Sequence, residues 1–283
     1  MYGGFSAEPV IAELHGVSVR GILTIPRHVD KPAPGILMIH GGPGLSGDSR
    51  EPDRRPSMAT PAGMMDVKLV RKYLCRRYPV LFADFVSDFP GDPSAFPWIF
   101  EFYRILRDHP AVHSERICLM GPSHGGYLSL RCASDEGRHV NPCCVVAFSA
   151  FVDVALLLRF WGLQVSRGIN IGPLTRAGLE KARDQLGWPR RRDRATLENY
   201  RYLSVLERAG NLDMPLLLIH GLSDEIVPSH HSALLLERVN RCQGKAMLLS
   251  PGGEKMGGHF LFGLNESPWI YVDSFFKEKF FPA

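Results

Sequence analysis

The 283-residue chain has no hydrophobic run long enough to cross a membrane, no C-x-x-C pair, no internal repeat and no basic tract interleaved with aromatics. Each absence excludes something. A membrane helix needs about 20 consecutive apolar residues, so no membrane partner is read. The first residues, MYGGFSAEPV, lack a basic segment followed by an apolar one, so no secretory leader is read either. The six cysteines (Cys75, Cys118, Cys132, Cys143, Cys144 and Cys242) fall at no zinc-site spacing. Cys118 and Cys144 lie inside apolar runs, which reads as reduced, buried thiols of a cytoplasmic protein. Lys plus Arg number 33 against 29 Asp plus Glu, a net charge of +4, too weak a field to argue for nucleic acid.

What is present is an ordinary globular composition, 45% apolar and 22% charged, at a length that suits one large domain over residues 1–283. The opening PVIAELHGVSVRGILTIP alternates apolar and polar residues around Gly16 and predicts a β-hairpin. PAPGILMIH predicts a fully buried strand over Ile36–His40, running into the glycine loop GGPG. A helix is expected near Met64–Arg77. Then come strand YPVLFADF, helix SAFPWIFEFYRILRDH, strand RICLMG, a helix from Gly125, strand CCVVAFSA, and the run PLLLIHG, SHHSALLLERVN, AMLLS, PWIYVDSFFKEKF as strand, helix, strand, helix. Solidly apolar strands alternating with helices predict an α/β fold, a mostly parallel sheet covered on both faces, with the hairpin antiparallel at one edge. Residues 151–212 exceed what one crossover needs and read as a helical cap insertion.

The segment RICLMGPSHGGYLSL places G-x-S-x-G between a strand and a helix. That context makes the pattern a nucleophile elbow: the turn is too tight for side chains beside the serine, and Ser123 projects over a helix N-terminus. Asp224 follows the buried strand of LLLIHGLSDEIVP, and His259 lies in the glycine-rich GGEKMGGHFLFG. Ser, Asp, His in that chain order, each beyond a strand at the same sheet edge, is the order of an α/β-hydrolase triad. Glu225 and Asp153 are rivals for the acid. His220 is the rival base, read instead as a local brace of the Asp224 turn; His230 and His231 are read as solvated. HGGPG, residues 40–44, offers backbone N–H groups, so an oxyanion hole is expected from the N–H of Gly42 and that of His124, whose ring is free to line the pocket.

HGGPG, GPSHGGYLSL, HGLSDEIVP and GGHF, in that order over roughly residues 10–283, resemble the catalytic domain of the prolyl oligopeptidase family of α/β-hydrolases, the Gly126–Tyr127 tail being the more specific part. The resemblance implies serine peptidase or esterase chemistry with Ser123 as nucleophile, Asp224 as acid and His259 as base. Family peptidases usually carry a β-propeller ahead of this domain; none is read before the first hairpin here. No tyrosine follows HGGPG to serve as oxyanion donor, and DFVSDFPGDPSAF lacks the Arg-Gly-Ser such peptidases often show. These departures bear on peptide specificity and leave the triad intact.

The reading is therefore a serine hydrolase cleaving an ester or amide bond of a small molecule or short peptide, with no metal or organic cofactor. Acyl transfer or cyclisation by the same triad and, in a different class, a non-catalytic ligand-binding hydrolase fold are the alternatives; a homo-oligomer is left open. Tyr127, Trp161, Arg159 and Arg167 are the expected substrate-binding residues, an arginine fork being suited to a substrate carboxylate. Against that stands a solvated basic cap surface, with RRRDR on an exposed turn.

Overall fold

The structure, a computed structural model, describes residues 4–28, 32–45, 60–135, 137–189, 194–251, 257–264 and 266–280. Its centre is an eight-stranded sheet: β1 (Phe5–Leu14), β2 (Val17–Pro26), β3 (Ala33–Ile39), β4 (Val80–Ala83), β5 (Val112–Pro122), β6 (Cys144–Phe148), β7 (Leu216–Ile219) and β8 (Ala246–Leu249), in spatial order β1-β2-β4-β3-β5-β6-β7-β8. The expected hairpin is β1–β2, paired from Leu14↔Val17 to Phe5↔Pro26 through a two-residue turn at His15-Gly16. It joins the sheet antiparallel to β4, and every pairing from β4 to β8 is parallel.

The helices are α1 (Pro61–Asp66), α2 (Lys68–Val70, running on as a π-turn over Arg71–Cys75), α3 (Phe96–Arg107), α4 (His124–Ala133), α5 (Val154–Ser166), α6 (Pro173–Leu186), α7 (Arg194–Leu203), α8 (His230–Arg241), α9 (Leu261–Leu264) and α10 (Ser267–Phe280). Their starts follow from sequence. Thr60 caps α1, its hydroxyl accepting from the Gly63 N–H at 3.1 Å ahead of Pro61. Asp153 caps α5 in the same way, through Leu156 N–H at 2.9 Å. Helix α3 buries Phe96, Ile99, Phe102, Tyr103 and Leu106, an apolar stripe at helical spacing.

Strand side chains alternate between two cores. Leu37 and Ile39 face one with Phe102, Leu128 and Leu235, from α3, α4 and α8. Ile36 and Met38 face the other with Met64, Val70, Trp269 and Phe276, from α1, α2 and α10. Each such buried side chain contributes about 1.5–3 kcal/mol. The indole of Trp269 stacks on Tyr73 at 5.9 Å and donates to the Phe262 carbonyl at 2.9 Å, fastening α10 to the π-turn after α2 and to α9. The chain leaving β3 enters α1 and α2 on one face, while the chain leaving β5 enters α4 on the other. The carboxyl ends of β3 and β5 therefore open a crevice, where ligands of open α/β sheets bind. Helices α5, α6 and α7 fill the interval between β6 and β7. Among the described residues no helix is long and apolar enough to cross a membrane.

Candidate active site

Ser123 stands between β5 and α4 at φ 51°, ψ −117°, a conformation that costs a non-glycine residue on the order of 1–3 kcal/mol. It is held there by its N–H to the Phe148 carbonyl at 2.7 Å and by Tyr127 N–H donating to its own carbonyl at 3.0 Å. The glycine two residues on has a structural reason. A Cβ on Gly125 would lie 2.0 Å from the Ile39 carbonyl oxygen, so the elbow is pressed directly against the β3 backbone.

The three residues that sequence order singled out meet at this crevice. His259 Nε2 lies 3.1 Å from Ser123 Oγ, and its Nδ1 lies 2.9 and 3.1 Å from the two carboxylate oxygens of Asp224. Asp224 Oδ1 also accepts the N–H groups of Ile226 and Val227 at 3.0 and 2.8 Å. Burial by itself would raise the Asp224 pKa; hydrogen bonds from His220 and His259, the His259 charge and the Val227 N–H outweigh it, and the group is held well below the carboxylate range.

The rivals are occupied elsewhere. His220 is the brace it was read to be: Nε2 donates to the Val227 carbonyl at 2.8 Å, with Asp224 Oδ2 at 3.3 Å, and Nδ1 accepts from the Ser232 hydroxyl at 2.7 Å. Asp153 spends one oxygen on the α5 cap and the other on the Ser204 hydroxyl at 2.7 Å. Glu225 is exposed. His230 is exposed as expected, but His231 corrects the sequence reading. It is buried because α8 turns it under the sheet edge, where Nδ1 accepts the Val152 N–H at 3.3 Å.

Gly42 and His124 both line a cavity of about 550 Å³ that opens on Ser123. Neither N–H has a hydrogen-bond partner among the described residues. Beneath the loop, His40 Nε2 meets the Asp84 carboxylate at 2.9 Å and its ring stacks on Phe85 at 4.6 Å, an anchor that sequence reasoning missed. The cavity wall is mostly apolar: Phe89, Phe151, Trp161, Leu174, Phe260 and Phe262 face it.

Of the four expected substrate-binding residues, only Trp161 reaches this wall; its indole N–H donates to the Ile226 carbonyl at 2.8 Å and so ties α5 to the Asp224 loop. Arg159 and Arg167 are exposed and line no part of the cavity. At 3.6 residues per turn they sit roughly 200° and 240° around α5 from Trp161, so one orientation of the helix cannot present all three. Arg159 instead donates to the Pro189 carbonyl at 2.8 and 3.3 Å. Tyr127 is fully buried one layer below; its ring stacks on Phe151 at 4.4 Å and its hydroxyl donates to the Leu203 carbonyl at 2.8 Å. It supports the wall without forming it. Most of RRRDR, residues 190–193, lies outside the described residues. Beside Trp161, the α5–α7 segment faces the cavity with α6, through Leu174, Ala177, Gly178 and Lys181. Their i, i+3, i+4, i+7 spacing is a helical face, the sequence signal that could have found them.

The structure superposes on an acylaminoacyl peptidase of Pyrococcus horikoshii with a TM-score of 0.70, over 99% of this chain and 42% of that one, at 18% identity. The fold is that of the α/β-hydrolases. A dipeptidyl peptidase 4 of Porphyromonas gingivalis gives a TM-score of 0.67 over 98% of this chain and 36% of that one, at 13% identity. In sequence, an uncharacterised peptidase of Bacillus subtilis, YtmA, is 26% identical over 147 residues, 50% of this chain and 48% of that protein. The chain thus spans about half or less of the length of these proteins. No family model matches it. The resemblance to prolyl oligopeptidase catalytic domains read from the motifs therefore extends to the whole fold. The activities in those proteins' names remain theirs.

Proposed function

We propose that the chain is a serine hydrolase acting on an ester, amide or peptide bond through an acyl-enzyme. His259 Nε2 takes the proton of the Ser123 hydroxyl as Oγ attacks the substrate carbonyl carbon. Asp224, accepting from Nδ1–H, fixes the imidazole tautomer and stabilises the imidazolium without itself taking the proton. The tetrahedral oxyanion rests on the N–H groups of Gly42 and His124. His259 then gives its proton to the leaving amine or alcohol, and water, activated in turn by His259, releases the acid. We read residues 151–212 as the cap that closes the site. The observation that carries the proposal is the unbroken hydrogen-bonded line from a serine at positive φ, through His259, to a buried carboxylate.

The apolar wall favours a neutral, bulky acyl group, and the relatives named as peptidases favour amide substrates; both support reading the ligand as a small acyl compound or a short peptide. The test uses a fluorophosphonate probe and a library of aryl esters and aminoacyl amides. A covalent adduct on Ser123, with turnover lost by several orders of magnitude in Ser123→Ala while the fold is retained, is the expected result. Folded protein that takes no adduct would instead mark a ligand-binding member of the fold. Turnover that needs an added amine or alcohol would mark acyl transfer.

A further inference from the structure

The ring of His124 is not part of the proposed proton path, yet it is buried at the centre of the site and both of its nitrogens are engaged. Nδ1 lies 3.0 Å from the Gly42 carbonyl oxygen, and Nε2 lies 3.3 Å from the Gly91 backbone nitrogen. A carbonyl only accepts and an amide N–H only donates. The ring must therefore carry its proton on Nδ1 and offer its lone pair at Nε2, which is one neutral tautomer with both positions satisfied. Burial pushes its pKa down to about 4, the nearby His40 adding and the Gly42 carbonyl opposing, so this tautomer persists throughout the neutral range. Phe85 meets the ring edge-on at 5.3 Å and Phe151 lies at 5.8 Å, which fixes its plane.

The three segments joined by this ring are those that must agree for the site to work. The backbone of His124 is the elbow. Gly42 belongs to the loop after β3, and Gly91 to the loop after β4 whose Phe89 and Pro90 wall the cavity. Gly42 sits at φ 76°, a shape that glycine adopts freely and leaves as freely. Something has to hold it, and the imidazole bonds directly to its carbonyl.

We propose that the His124 imidazole is a positioning residue that sets the Gly42 N–H beside its own backbone N–H to form the oxyanion site, and couples both to the cavity loop at Gly91. This rests on the serine hydrolase reading. Substitution leaves the backbone N–H of residue 124 in place, so any loss reports the ring.

The two arms can be separated. Asparagine at this position places an amide N–H near Nδ1 and keeps the Gly42 arm; glutamine reaches the Nε2 position and keeps the Gly91 arm. With an aryl ester as substrate and an aryl boronic acid as mimic of the tetrahedral state, His124→Ala is expected to lower kcat roughly 10- to 100-fold, less than deleting a donor outright. KM should stay within about 3-fold, and boronate affinity should fall by the same factor as kcat, because the lost contact is one made in the transition state. His124→Asn should recover most of kcat and His124→Gln little of it. Should the alanine variant not fold, the asparagine–glutamine difference decides. Wild-type kcat in His124→Ala, no kcat difference between His124→Asn and His124→Gln, or losses that track melting temperature with boronate affinity unchanged would each overturn the inference. Absence of a fluorophosphonate adduct on wild-type Ser123 would instead remove the hydrolase reading, and the inference with it.

Discussion

Asp153, beyond β6, and Asp224, beyond β7, stand one strand apart at the same edge of the sheet, in loops of similar kind, and the structure uses them differently. Asp153 accepts the first-turn N–H of α5 and the hydroxyl of Ser204, which follows α7. Its two oxygens tie the start and the end of the α5–α7 segment to the sheet. Asp224 accepts two N–H groups of its own loop with Oδ1 and turns Oδ2 to His259. What a carboxylate does here is decided by which donors its loop spares for it. The surroundings differ in the same sense. At the Ser123 end, backbone lies on backbone: a Cβ on Gly125 would stand 2.0 Å from one carbonyl oxygen and 2.5 Å from the next, those of Ile39 and His40. At the seam between α6 and the loop after β4, the close contact is to a side chain. A Cβ on Gly178 would stand 3.2 Å from Pro90 Cδ, beside a part-exposed Lys181–Asp88 ion pair at 3.3 Å.

The most severe way to break this comparison is to add one methyl group to each region. Gly125→Ala drives Cβ into two carbonyl oxygens that belong to β3 and its loop, and neither can move without the sheet. No soluble folded protein is expected. Gly178→Ala asks a proline ring to give by a few tenths of an ångström, and alanine is the better helix former by about 1 kcal/mol. A melting temperature within a few degrees of wild type is expected. Comparable thermal denaturation curves for the two variants would mean that the Ser123 end is as deformable as the α6 seam.

Exchanging the acids is the next largest effect. Asp224→Asn should leave the fold intact and lower kcat about 10⁴-fold through the wrong imidazole tautomer. Asp153→Ala should do the reverse: turnover within a few-fold of wild type, and a loss of roughly 2–4 kcal/mol in stability for the missing helix cap and the buried Ser204 hydroxyl left unpaired. The checks are steady-state rates together with urea denaturation. If Asp153→Ala abolishes turnover in folded protein, the acid lies after β6 and the assignment is exchanged.

The contrast also explains how much of the molecule could be read from its sequence. The strands and the elbow were legible because they are enforced locally. Apolar runs such as ILMI and LLLI have no other place to go than the sheet centre, and G-x-S-x-G between a strand and a helix has one compact geometry. Asp224 and His259 were legible through chain order. The helices of the α5–α7 segment were legible too, but, Trp161 apart, which of its residues face the cavity was not, because that is set by the rotation of helices about their axes. Arg159 and Arg167 were the expected ligands, whereas the rotation of α5 that brings Trp161 to the cavity carries both away from it. Tyr127 was misplaced for a related reason: a residue one turn after the nucleophile is near the site in sequence but lies beneath the cavity wall in space. The double use of the His124 ring carries no sequence signature, since it depends on one carbonyl and one amide N–H, each brought in by another loop.

The smallest effect concerns two buried histidines, one in each region, whose burial lowers stability as the pH falls. His124 lies beside Ser123, and His231 lies beneath the start of the α5–α7 segment, accepting the Val152 N–H; His231 Nε2 has no hydrogen-bond partner among the described residues. Burial pushes His231 down to about 3, with His230 and His220 adding and Asp224 opposing, and burial pushes His124 to about 4. Both begin from an ordinary value of 6.5. Above that pH neither the folded nor the unfolded chain protonates these rings, so their contribution to stability is fully present. As pH falls below 6.5 the unfolded chain takes up protons that the folded chain refuses, and stability falls until the folded pKa values are reached. Asp224, with a depressed pKa, adds its own loss only as pH falls through its ordinary 3.8. Between pH 6 and 4.5 each histidine should therefore contribute a slope approaching ~1.4 kcal/mol per pH unit. His231→Asn keeps an oxygen able to accept the Val152 N–H and removes the titration. Urea denaturation of this variant across that range should show the pH dependence of stability reduced by close to one proton, with kcat at neutral pH unchanged. A slope equal to wild type would show that the His231 ring protonates in the folded state, and that the start of the α5–α7 segment opens to water more readily than the Ser123 end.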